Sequence, residues 1–201
     1  MDNGGPSVSP DEARKRAESR DKRRFPLKKL ALAGVYAALL IGGKEALAAL
    51  PNVEVVTLLC ALGGFAFGSV AFVSVCAFVT VEGAIYGFGS WIVSYYVHWP
   101  LVCLTFMLLA RVLRTDMRAR MILIPTAAAF LLTSLFSVLT ALADVGLLTG
   151  FFENFPVRFA IYYMRGVPFY IAQTATNLIV FPLLFPLLAK TLIFLKKRYY
   201  L

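Results

Sequence analysis

The stretch ARVLRTDMRARM, residues 110–121, decides how this chain is read. Arg111, Arg114, Arg118 and Arg120 crowd together here, and apolar sequence runs away from them on both sides. An arginine cluster between two apolar segments of about 20 residues is the pattern of a loop joining two membrane-spanning helices on the positively charged, cytoplasmic side.

The rest of the chain repeats the pattern. Of 201 residues 60% are hydrophobic, and the mean hydropathy is +0.76. A water-soluble domain has fewer apolar residues and carries many more charges. Of the 20 lysines and arginines, nine precede residue 30, four lie at 111–120 and four lie at 190–198. These clusters border apolar segments, so lipid headgroups and the positive-inside rule account for the net charge of +9, and nucleic acid is excluded as its cause. Cys60, Cys76 and Cys103 each lie within an apolar run, which suits packing.

Six spans are expected: 27–49, 53–67, 70–86, 91–113, 121–148 and 164–195. Pro51 and Asn52 end the first, and Gly68 ends the second. The second and third together also read as one broken helix. The expected fold is all-α, a polytopic bundle of six transmembrane helices with both termini cytoplasmic. Residues 1–25 form a polar, basic, mobile tail and 26–201 the membrane domain. With an even number of spans, 17 of the 20 basic residues face the cytoplasm, leaving Lys44, Arg158 and Arg165 in the outer half. Five spans would put a basic cluster outside.

That topology sends VEGAIYGFGSWIVSYYVHW, residues 81–99, to the outer side. It holds Glu82, the one histidine (His98) and both tryptophans. Glu82 and Tyr86 share a face at i, i+4. Gly87 and Gly89 make the turn, and Trp91, Tyr95 and Trp99 repeat at i, i+4, i+8. Asn52 and Glu54 fall in the first outer loop. The loop expected at 149–163 carries Glu153, Asn154, Arg158, Tyr162 and Tyr163, a content that permits a lid. Arg165 opens the sixth span, and Tyr170, Gln173 and Asn177 follow as one stripe. Polar side chains at such depth face a bundle interior or a water-filled cavity. An aromatic belt explains Trp91 and Tyr96 singly as well as ligand contact does, and Glu82 and Asn177 also suit interhelical hydrogen bonds. The set as a whole suits a pocket that stacks a bulky molecule and orients it with a few polar groups.

The first span pairs Ala33 with Ala37 and Gly34 with Ala38, small residues four apart that let another helix approach closely. Spacing alone favours a partner inside the bundle. No phosphate-binding loop, nucleophile elbow or zinc motif is present, no metal or other cofactor is implied, and no catalytic residue is expected.

Three stretches carry a resemblance: LAALPNVEVVTLL (47–59), EGAIYGFGSWIVSYYVHWP (82–100) and YYMRGVPFYIAQTATNLIVFPL (162–183). With six spans and the small-residue motif, they look like the substrate-binding S component of energy-coupling factor (ECF) vitamin transporters, over residues 28–195. The likeness is strongest to the branch that includes cobalamin transporters. It implies a multi-pass subunit in a prokaryotic plasma membrane. Such a subunit captures a water-soluble vitamin outside and releases it inward with a transmembrane T subunit and two cytoplasmic ATPases. It places the T-subunit surface on Ala33, Gly34, Ala37 and Ala38. The substrate site is expected at Asn52, Glu82, Tyr86, Trp91, Tyr95, Arg165, Gln173 and Asn177. The chain departs from the family pattern at Tyr170 and Gln173, where relatives often carry Asp and His, which puts the substrate in doubt. Two other classes stay open: a membrane enzyme acting on a lipid-like substrate with Glu82 or His98 as acid or base, and a structural subunit without a small ligand.

Overall fold

A computed structural model describes residues 10–49, 55–113, 118–149 and 151–199, and the described residues are helical almost throughout. Helix α1 spans Pro10–Ala46, α2 Val56–Phe67, α3 Ser69–Tyr86, α4 Ser90–Val112, α5 Arg118–Ala141 and α6 Phe155–Tyr199. The end of α5 widens into a π-helical segment, Leu142–Leu148. Four helical stretches, Ser69–Tyr86, Ser90–Val112, Ala119–Gly146 and Phe155–Tyr199, are long and apolar enough to cross a membrane.

The shortest helix is the most enclosed. Ten of the twelve residues of α2 are buried, and it packs against α1, α3, α4 and α6. At 1.5 Å per residue it is about 18 Å long, well short of the apolar thickness of a bilayer. Its close seat depends on glycine. A Cβ on Gly64 would lie 2.2 Å from the carbonyl oxygen of Cys103 in α4, and one on Gly63 would lie 2.5 Å from the Tyr36 ring of α1. Tyr36 in turn donates its hydroxyl to the carbonyl of Leu59 at 2.7 Å.

Gly68 alone separates α2 from α3. Its φ of 62° lies in a region that side-chain-bearing residues avoid, and its N–H bonds back to the carbonyls of Gly63 and Gly64. Gly87, at φ 86°, turns α3 into α4. The core runs through α2, α4 and α6, where Phe106, Phe181 and Phe185 are fully buried with ring centroids 5.3–5.8 Å apart. At the far end of α6, Lys196 donates to the carbonyl of Ala66 at 2.8 Å.

Two expected boundaries differ. Helix α6 begins at Phe155, so the outer loop expected over 149–163 is a short turn, and Arg158, Tyr162 and Tyr163 are helical. Arg158 Nη2 donates to both the carbonyl and the hydroxyl of Thr149 at 2.8 Å, tying the first turn of α6 to the end of the preceding segment. Helix α1 begins at Pro10, inside the tail assigned to residues 1–25.

Candidate functional site

The expected site residues fall into three groups. The first joins α1 to α3. Glu82 and Tyr86, one turn apart, meet the adjacent Lys44 and Glu45. Lys44 Nζ donates to Glu82 Oε2 and sits 4.4 Å from the centre of the Tyr86 ring, while the Tyr86 hydroxyl donates to the Glu45 carboxylate at 2.7 Å. Glu82 is completely buried, and its Oε1 has no partner among the described residues. Burying a carboxylate is tolerable only with a counter-charge and hydrogen bonds, and Lys44 supplies both.

The second group is an aromatic ladder on α4. Trp91 meets Tyr95 at 4.9 Å and Tyr95 meets Trp99 at 5.5 Å, both edge to face. The spacing of four residues produces this geometry, since each ring stands over the next turn. Phe136 of α5 closes the inner end, 4.5 Å from the His98 ring and 5.8 Å from Trp99. The ladder runs from half-buried at Trp91 to buried at His98 and Trp99. Trp99 Nε1, His98 Nε2 and Ser94 Oγ have no described partner.

The third group lies on α6. Gln173 and Asn177 are buried one turn apart. Asn177 Nδ2 donates to Thr133 Oγ1 of α5 at 3.0 Å, leaving Oδ1 without a described partner. Arg165, on the same helix, is exposed. Asn52 lies outside the described residues. On α1, a Cβ at Gly34 would meet nothing within 4 Å, and Gly34 and Ala38 are exposed while Ala33 and Ala37 are half-buried.

Sequence reasoning missed several participants. Lys44 entered only as a basic residue of the outer half and Glu45 not at all, yet they bind Glu82 and Tyr86. The signal available was a single cation within an apolar span, which needs an acid nearby. Thr133 and Phe136 gave no signal, because threonine and phenylalanine are ordinary in such helices. A groove between α5 and α6, about 330 Å³ in volume, was not anticipated. Ser134, Ser137, Tyr163, Tyr170 and Thr174 supply its hydroxyls, and none of the eight expected site residues lines it.

Among the described residues, no group of three histidine, cysteine or acidic side chains is placed to hold a metal ion. Comparison of the chain with protein-family models, with curated proteins and with solved structures finds no match.

Proposed function

We propose that this protein is the substrate-binding S component of an ECF-type importer. In this reading all six helices lie in a prokaryotic plasma membrane with both ends inside. The subunit takes a water-soluble vitamin, cobalamin first among the candidates, from the outer face and hands it inward with a T subunit and two ATPases.

One observation carries the reading. Buried polar atoms in folded proteins are almost always hydrogen-bonded. Five here have no described partner: Glu82 Oε1, Ser94 Oγ, His98 Nε2, Trp99 Nε1 and Asn177 Oδ1. Four belong to residues 82–100 and the fifth to residues 162–183, two of the stretches that carry the family resemblance. They include donors and acceptors, and three of them stand on α4, the helix of the edge-to-face ring ladder. This chemistry suits a polar, ring-bearing solute. Lys44 and the buried Glu82 supply the charged groups, Trp91 and Tyr95 offer stacking surfaces, and Gln173 and Asn177 orient the ligand from α6. The exposed Gly34/Ala38 face supports docking of a second transmembrane protein.

The test is to purify the chain from cells grown in rich medium and identify any bound small molecule by mass spectrometry. A stoichiometric vitamin is expected. An empty preparation that gains no thermal stability from a vitamin panel including cobalamin would overturn the reading.

A further inference from the structure

The groove between α5 and α6 has a chemistry unlike that of the three groups above. Its lining has hydroxyl and apolar side chains and no charged one. It opens on the outer surface of the bundle, where the lining residues Ile171 and Leu178 are 63% and 44% exposed. In a membrane those positions face lipid.

The hydroxyls are arranged as unspent donors. Ser137 gives its hydrogen to the carbonyl of Ser134 at 2.7 Å, and Thr140 gives its hydrogen to the carbonyl of Ser137 at 3.0 Å. The phenols of Tyr163 and Tyr170 must therefore be the donors to Ser137 and Thr140, and both of those contacts stretch to 3.4 Å. A good hydroxyl–oxygen bond is nearer 2.8 Å, so each phenol is better served by another acceptor. Gly166 sets this arrangement up: a Cβ there would stand 2.3 Å from the Tyr170 ring, which lies back over the helix.

Depth fixes the kind of acceptor. Between Arg165 and Lys190, α6 carries no charged residue. Counting about 20 residues back from Lys190 to allow for the apolar core reaches Tyr170. Tyr170 thus stands at one edge of the hydrocarbon, the level of glycerol ester groups, and the Tyr163 ring lies 5.3 Å from its ring.

We infer that this groove seats the ester backbone of a membrane glycerolipid, with Tyr163 and Tyr170 donating to its acyl carbonyls and Val167, Ile171, Ala175 and Leu178 lying along a chain. It rests on the membrane-spanning part of the reading above and not on the S-component assignment. The headgroup meets no charged lining residue, so its charge does not matter.

The experiment uses the full chain, delipidated in detergent and titrated with a diester phosphatidylcholine, its diether analogue and a diester phosphatidylglycerol, with bound lipid read by native mass spectrometry. One tightly held diester lipid is expected, equal for the two headgroups and about tenfold tighter than the diether. Tyr163→Phe with Tyr170→Phe brings diester binding down to the diether level, and Ala175→Phe blocks both. All variants must melt as the wild type does. Equal diester and diether binding, no effect of the double phenylalanine variant, or no retained lipid would each overturn the proposal. Displacement of the lipid by a vitamin would overturn it too and make the groove part of the substrate site. Recovery of the chain in the soluble fraction of cells is the distinct result that removes the membrane reading itself.

Discussion

Lys44 of α1 closes an ion pair on Glu82 of α3, and the carboxylate it meets is completely buried. These residues stand 38 positions apart in the chain, and their contact ties the C-terminal ends of α1 and α3 together. Tyr86 and Glu45 repeat the link one turn on, with acid and helix exchanged.

Removing one member of this pair is worse than removing both. Lys44→Met strands a buried carboxylate and destabilises by about 3 kcal/mol, the scale for a broken buried pair. Glu82→Gln added to Lys44→Met removes the stranded charge and recovers most of that loss. Thermal unfolding of the two variants in detergent decides it, and equal melting temperatures would show that the pair does not hold the helices.

The two glycine sites fail for different reasons. At Gly68 the nearest atom to an added Cβ is 3.8 Å away, so Gly68→Ala meets only backbone strain at φ 62°, ψ −126° and loses about 1–3 kcal/mol. At Gly64 the added carbon meets a backbone oxygen of α4 at 2.2 Å, and neither helix can yield without moving. Gly64→Ala loses about 3 kcal/mol. Chemical denaturation of both variants gives the order.

Asn177 uses one end on the protein. Thr133→Val removes the acceptor for its Nδ2 and leaves Oδ1 untouched, so vitamin affinity falls only a few-fold. Asn177→Ala also removes Oδ1, the acceptor the proposed site would offer a ligand, and is expected to weaken binding by about tenfold or more. Isothermal titration on the purified variants separates the two, and wild-type affinity in Asn177→Ala would remove this residue from the site.

Trp91 is the half-buried first rung of the ladder, and its ring meets Tyr95. Trp91→Ala is expected to cut ligand affinity by about tenfold and shift the melting temperature little, on the scale of one aromatic contact. A large stability loss with unchanged affinity would make the ladder purely structural.

Gly34 faces open space, so Gly34→Leu folds and binds ligand as the wild type does. The bulky side chain then blocks close approach of a partner helix. Co-purification of a T subunit with the variant at wild-type yield would remove this face from the interface.

Much of the architecture was legible because its signals are local. The arginines at 111–120 and the basic clusters at the two ends mark where the apolar runs stop, and each apolar run is helical. Gly68 and Gly87 announced the breaks, since only glycine adopts their backbone angles freely. The spacing of Trp91, Tyr95 and Trp99 gave the ladder, because one helical turn is enough to bring the rings together. The start of α6 was misplaced for the converse reason: its first turns carry arginine and aromatic side chains, and the contact that ties them to the preceding segment, Arg158 to Thr149, is not a helical repeat.

By itself, then, the sequence determined an all-helical chain, where its apolar helices run and which faces carry the polar and aromatic side chains. These follow from chemistry that repeats every turn. The tertiary structure alone decided that Lys44 answers Glu82, that Thr133 answers Asn177, that α2 sits enclosed at the centre, and that two tyrosines overhang a groove between α5 and α6. Those relationships depend on the register of one helix against another, fixed by close-packed shapes such as Gly64 against Cys103. No spacing along the chain encodes them.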